Sequence, residues 1–276
     1  MDEKKIKKIV YKTEDLIDLA IRAVFVIVFA VGSLGMYDTW KVFQAAQDKS
    51  TLKYKPENGK VLTKELKDNV AWITLDDSKI DYPVMQGGTN EDYLNTDPYG
   101  NYSLSGSIFL DSRNSSNFSD AYNLVYGHHM SDEAMFGALD NWTKPTYYEV
   151  HKTGTLTTTS AIYQLDVIGI ETVDASEDKI FQPVTVDADT SVNFINSLLN
   201  SSSDHILALS TCQLPESTMR TVLFCNMTLI YQGDVKITKE EPEETGIRVG
   251  NKVYSDITPV KPNKNVLDSL LKIFID

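Results

Sequence analysis

Cysteine is scarce in this chain, with two residues in 276, Cys212 and Cys225, and that excludes a disulfide-dense scaffold. Four histidines, none in a C-x-x-C or H-x-x-x-H context, give no zinc signature. We therefore expect no metal and no cofactor. Positive charge is also short, with 26 Lys and Arg against 39 Asp and Glu and a net charge of −13. Outside the N-terminus there is no basic run, which argues against nucleic acid as a partner, because that affinity rests on neutralising phosphates. No internal repeat is visible. At 42% hydrophobic and 24% charged residues the composition is neither disordered nor collagen-like. The length suits one medium domain with appendages better than two equal domains.

What the chain does have is one long apolar run. Residues 23–37, AVFVIVFAVGSLGMY, carry no charge, and Leu16, Ile17, Leu19, Ala20 and Ile21 extend the run back past Arg22 and Asp18. These 15 residues fall short of the about 20 that cross hydrocarbon as a helix, but Arg22 can snorkel and the preceding turn can complete the span. We read the segment as a transmembrane anchor. A secretory signal competes, with Lys4, Lys5, Lys7 and Lys8 as its basic region and Val28-Phe29-Ala30 as its cleavage site. A buried core helix fits less well, since 23–37 shows no polar face. Six Lys and Arg in residues 1–22 against four in 38–57 give a slight positive-inside bias. Large polar domains translocate with little regard to charge. The expectation is thus a cytoplasmic N-terminus (1–22), a single-pass anchor (23–37) in the cell membrane, and the bulk of the chain outside.

Residues 38–69 set apolar residues at helical spacing among alternating charges, and Pro56, Asn58 and Gly59 interrupt them, which predicts a helical stalk in two pieces. From Val70 the pattern changes to short β-rich runs: VAWITL, IDYPVMQ, GSIFLD, YNLVYGH, YYEVHKTGTLTTT, IYQLDVIGIETV, HILALSTC and RTVLFCNMTLIY. Eight such runs predict a mainly β barrel or sandwich over 70–235, with helical insertions at 132–142 and 190–200. Beyond it, the acidic KITKEEPEETGIRVGNK reads as a solvated linker. The end of the 236–276 tail places Val266, Leu267, Leu270, Leu271, Ile273 and Phe274 on one face of an amphipathic helix, too short to span and expected to dock back on the domain.

A cysteine nucleophile needs its thiolate made available and a general acid for the leaving group. Cys212 ends an apolar run and precedes Gln213, Leu214 and Pro215, which places it at a strand's edge beside a turn. Cys225 lies inside RTVLFCNMTLIY, where a small apolar strand residue is the ordinary reading. Arg220 opens that strand, so a hairpin sets its guanidinium near the Cys212 sulfur; a solvated strand-end arginine is the alternative. His128 follows NLVYG and is presented at a rim as Cys212 is, whereas His129, His151 and His205 lack that combination. On these residues alone, Cys212, His128 and Arg220 are either one site or three unrelated positions.

With the motifs taken together, the sequence resembles the sortase family of membrane-anchored cysteine transpeptidases of Gram-positive bacteria, and within it class B. ALSTC (208–212) is similar to the family's T-L-x-T-C strand, Arg220 to its downstream arginine, and Gly127-His128 to its G-H. Trp72-Ile73, IDYPVMQG (80–87), Asn90 through Leu94, SGSIFLDSRN (105–114) and YGHHM (126–130) follow in the class B order. Two departures stand out: Ala208 replaces the motif's threonine, and Leu214 stands where class B members often carry an acid, so no carboxylate is assigned to orient His128.

The resemblance implies an eight-stranded sortase-type barrel carried on the anchor and stalk. It implies that the Cys212 thiolate attacks a peptide carbonyl in the sorting signal of a surface protein, Arg220 stabilises the oxyanion, and His128 protonates the leaving amine and then deprotonates the incoming one. The incoming amine belongs to the peptidoglycan cross-bridge or, alternatively, to a pilin lysine. Asn90, Leu94 and Ser210 match positions that contact the peptide. The reading from a different class is a tethered barrel that holds peptides without cutting them.

Overall fold

The computed structural model describes residues 3–63, 65–183, 188–212, 218–232, 247–249 and 252–254, with position 212 entering through its backbone. An N-terminal unit ends at Ala45, and a second begins at Ala46. The first is almost wholly one helix, α1 (Glu3–Ala46). At 1.5 Å per residue, its 44 residues reach about 66 Å, more than twice a hydrocarbon core. Its most apolar window has a mean hydropathy of 2.2 and is fully exposed, with Phe25 and Phe29 more than 70% accessible. The helix is long and apolar enough to cross a membrane.

α1 takes in the first part of the expected stalk, and a single 3-10 turn follows at Ser50–Tyr54. No second stalk helix is present among the described residues up to Asn69. Pro56 and the left-handed Gly59 (φ 75°) explain the stop. Leu62 and Leu66 are buried, and Leu62 N donates to Thr158 O at 2.8 Å, so this segment packs along the barrel instead of forming a helix.

The second unit is built on a closed barrel of eight strands: β1 (Asn69–Leu75), β2 (Asp81–Met85), β3 (Ile108–Leu110), β4 (Tyr122–Tyr126), β5 (Thr153–Thr158), β6 (Ala161–Asp174), β7 (Ile206–Cys212) and β8 (Met219–Gln232). Their order around the barrel is β1-β2-β3-β4-β7-β8-β6-β5, closed by β5 on β1. Only β2–β3 and β4–β7 pair in parallel. Two clusters explain the sequence pattern. Leu207, Leu209, Leu223, Cys225, Val125 and Ile73 belong to the larger, and Ile206, Ala208, Val222, Phe224, Tyr122 and Leu124 to the smaller. Alternate residues of β4, β7 and β8 thus serve opposite faces that are both covered. That is why HILALSTC reads as a continuous apolar run and not as an alternating one.

The smaller cluster is covered by α3 (Asp178–Phe181) and α4 (Ala188–Leu199), through Ile180, Val192 and Ile195. The insertion expected as a helix at 132–142 is instead 3-10, at Ser131–Glu133 and Phe136–Thr143. Phe136, Leu139 and Trp142, three apart, are all buried in the larger cluster. A three-residue period lines them up along one edge of a 3-10 turn, whereas an α-helix would stagger them across a wider face. The YYEV start of the fifth β-rich run is also helical, as α2 (Pro145–Val150), with proline at its first turn. In the tail, β9 (Ile247–Val249) and β10 (Lys252–Tyr254) pair antiparallel where a linker was expected. The expected helix over 266–274 lies outside the described residues.

Candidate active site

β4 and β7 run parallel with Tyr126 beside Ser210, and the ladder continues one step where Gly127 N donates to Ser210 O at 3.1 Å. Both chains leave the ladder in the same direction. His128 and Cys212, each two residues beyond that pair, therefore arrive at one rim of the barrel. On the other side of β7, Cys212 and Arg220 are direct Cα partners in the antiparallel β7–β8 pair. Strand alternation puts positions 212 and 220 on the face shared by 206, 208, 222 and 224. Directly paired positions have Cβ atoms about 4.5–5.5 Å apart. A β-carbon on Gly127 would stand 2.4 Å from Ile108 Cδ1 and 2.7 Å from Phe136 Cδ2, so a larger residue there would have to displace two buried core side chains beside His128.

His128 is half-buried, and its Nε2 lies 2.8 Å from the Leu94 carbonyl. Its partner is a main-chain oxygen, not a carboxylate; the nearby Asp140 serves His129 instead, at 2.8 Å. Behind His128 the chain closes on itself: Phe136 N donates to His128 O at 3.0 Å, and Asp132, Glu133 and Met135 all hold positive φ. Lys79 Nζ on Asp132 O, Glu133 on Asn141, and Tyr82 OH accepting from Met135 N hold those turns. Arg220 donates from Nη1 to Met219 O at 3.3 Å. Asp174, which pairs with Met219, is held down at about 2 by Ser176 and Thr218 hydrogen bonds, with the Arg220 charge adding to them.

The three candidate peptide contacts differ in what they leave free. Both ends of the Asn90 amide are engaged, Nδ2 on Asp111 Oδ2 at 2.9 Å and Oδ1 on Ser112 N at 2.7 Å. Leu94 exposes its side chain by 40% while its carbonyl takes the histidine bond. Ser210 is 1% exposed, and its hydroxyl has no hydrogen-bond partner among the described residues. Cys225 faces the larger cluster at 0% exposure, and burial pushes its thiol well above the ordinary range.

The sequence reading gave no role to the group that ties this rim together. Asp111 is fully buried and accepts from Arg113 Nε at 2.8 Å, Arg113 Nη2 at 2.7 Å, Asn90 Nδ2 at 2.9 Å and Tyr126 OH at 3.1 Å. Burial pushes its carboxyl up, but the Arg113 and Asn90 hydrogen bonds together outweigh that and leave it below the usual carboxylate range. Arg113 also reaches the Phe181 carbonyl and the Gln182 side chain. One ion pair thus joins the β2–β3 connection, β3, β4 and the end of α3. Its only sequence signal is an Asp and an Arg two apart directly after the apolar IFL strand. Among the described residues, no group of three or more His, Cys, Asp or Glu is placed to hold a metal ion.

A sortase-domain family model matches residues 73–228, the span that carries the barrel and this rim. The chain belongs to the sortase family. Sortase B of Staphylococcus aureus is 37% identical over 175 residues, covering 59% of this chain and 71% of that protein. Among solved structures, a class B sortase of Streptococcus pyogenes involved in pilus biogenesis matches with a TM-score of 0.53 at 33% identity, over 58% of this chain and 92% of that one. The S. aureus sortase B–substrate complex matches with a TM-score of 0.55 at 30% identity, over 72% and 98%. The sortase described here is of class B and is a cysteine transpeptidase; its barrel and N-terminal apolar helix are those the motifs implied.

Proposed function

We propose that this sortase cleaves the C-terminal sorting signal of surface proteins and joins the freed carbonyl to an amine of the peptidoglycan cross-bridge. In the first half-reaction the Cys212 thiolate adds to the scissile carbonyl, and Arg220 holds the oxyanion. His128 then gives its proton to the leaving amine as the C–N bond breaks and a thioester forms. In the second, neutral His128 takes a proton from the incoming amine as it attacks the thioester, and the thiolate leaves. Asn90 and Leu94 line the peptide, and Ser210 joins them once the cover over its hydroxyl shifts. Helix α1 anchors the enzyme in the cell membrane in a single pass, with residues 1–22 inside and the barrel outside. The observation that carries this reading is the register: Cys212 faces Arg220 across β7–β8, and the parallel β4 brings His128 to the same rim.

The test is incubation of the detergent-solubilised chain with a sorting-peptide library, followed by mass spectrometry. A thioacyl adduct on Cys212, absent from Cys212→Ala, is the expected result; cleavage without an adduct, or undiminished turnover by Cys212→Ala, overturns it. Binding with neither would leave a peptide-holding barrel. A second acceptor is favoured by the likeness to the S. pyogenes enzyme involved in pilus biogenesis. If the thioacyl form transfers to a lysine of a pilin domain and not to a cross-bridge peptide, pilus polymerisation is the function.

A further inference from the structure

The histidine of an acyl-transfer site works through one ring nitrogen, and the partner of the other decides which. Here that partner is a main-chain carbonyl: Leu94 O, 2.8 Å from His128 Nε2. A carbonyl oxygen only accepts, so Nε2 carries a hydrogen in the neutral ring as well as in the imidazolium. Nδ1 is then the nitrogen whose proton comes and goes.

An acceptor on a loop orients a ring only if the loop is held. Leu94 lies in the β2–β3 connection, and a strip at 103–107 runs along it. Ser107 N donates to Tyr93 O at 3.0 Å, Ser103 N to Asn95 O at 3.0 Å, and Ser107 Oγ to Thr96 O at 2.6 Å. Within the strip, Gly106 holds φ 57° and donates to Ser103 O at 3.0 Å. A β-carbon there would sit 2.4 Å from Leu94 O, 2.9 Å from Tyr93 O and 3.0 Å from the Leu94 carbonyl carbon. All three are backbone atoms, which cannot swing aside as a side-chain tip can. The carbonyl that meets His128 is thus seated against the one residue that lacks a β-carbon.

We propose that Gly106 is a positioning residue: it seats the Leu94 carbonyl as the acceptor for His128 Nε2–H and so leaves Nδ1 as the nitrogen that exchanges protons with the leaving and incoming amines. The carbonyl supplies the orientation that a carboxylate gives in many His-assisted acyl transfers, which agrees with Asp140 serving His129. The inference rests on the reading of His128 as the general acid–base.

The first test needs no variant at the glycine. The full chain, labelled with 15N-histidine in detergent and with the His128 signals assigned by their loss in His128→Ala, should show the Nε2–H tautomer once the ring is neutral. An Nδ1–H tautomer overturns the proposal whatever the variants do. The second test compares Gly106→Ala with Gly100→Ala. Gly100 lies in the same connection at φ 87°, and a β-carbon there would meet nothing within 4 Å, so its substitution brings backbone strain without a clash. Gly106→Ala should lower kcat by about 10²-fold, the scale of a misplacement of about 1 Å, with a much smaller change in KM and moved His128 ring shifts. Gly100→Ala should leave the ring shifts in place. Equal effects of the two substitutions, with unmoved ring shifts, overturn the proposal. Undiminished turnover by His128→Ala would instead remove the acid–base reading beneath it, a result distinct from either.

Discussion

Arg220 offers five donors in a planar fork, enough to hold an oxyanion and a neighbouring carbonyl together, whereas a lysine ammonium is a point charge with a different reach. We expect Arg220→Lys to lose kcat/KM by about 10²-fold or more, the scale of removing one oxyanion donor. Steady-state kinetics beside Arg248→Lys, which lies in the β9 strand of the tail, check this; equal small effects would make Arg220 a solvated strand-end residue. Arg113 is no neutral comparison, because its guanidinium holds Asp111. Cys225 contrasts with Cys212. It lies inside the larger cluster with a thiol that burial keeps protonated, so Cys225→Ala should keep most activity and cost on the order of 1–2 kcal/mol in urea unfolding. The burial of Cys225 was legible in sequence, because a small mid-strand residue among apolar neighbours belongs to a core. What orients His128 was not legible. A backbone carbonyl is carried by every residue type, and only the folded chain shows that the one at Leu94 meets the ring.

At the scale of elements, the strands were legible and the helical insertions less so. Eight β-rich runs became eight strands because β propensity and burial on both faces agree in runs such as β7 and β8. The segment 132–142 carries apolar residues at positions that fit both a 3.6 and a 3.0 period, and packing of Phe136, Leu139 and Trp142 into the core decided for the tighter turn. The Asp111–Arg113 pair escaped notice because it links segments that are distant in sequence. Asp111→Asn would leave the one-third exposed Arg113 without its anion. A loss of about 2–3 kcal/mol in urea unfolding is expected, together with a raised KM as Asn90 loosens; an unchanged KM would separate the pair from the peptide groove. His205 gives the fold a pH dependence. It is buried with Nε2 2.9 Å from Phe118 O and 3.3 Å from Asn123 Nδ2, and burial lowers its pKa below 6.5, although the Phe118 carbonyl opposes this. The unfolded chain therefore takes up the proton first as pH falls. The stability contributed by neutral His205 is complete above about 6.5 and declines below it. Thermal unfolding between pH 7.5 and 5 should show this decline, and His205→Gln should flatten it; identical slopes would place the acid sensitivity elsewhere.

At the scale of the molecule, the apolar run and the catalytic span separate in sequence, but the domain does not begin where the run ends. α1 continues through position 46, and Ala46 is 2% exposed within the larger core cluster of the second unit. Thr51, in the 3-10 turn that follows, is buried as well. A chain beginning near residue 38 loses the fifteen uncharged residues at 23–37 and keeps Ala46, Thr51 and every strand. It should leave the membrane fraction and retain the full chain's kcat/KM on peptide, with its acidic balance favouring solubility. A chain beginning near residue 56 should also be soluble, yet unfold at lower urea because those buried contacts are gone. Fractionation and urea unfolding of the two truncations side by side test both statements. Retention of the first in the membrane fraction would move the anchoring role away from α1. Equal stability of the two would mean that residues 46–54 add nothing to the barrel, and the segment between anchor and barrel would then be a tether alone.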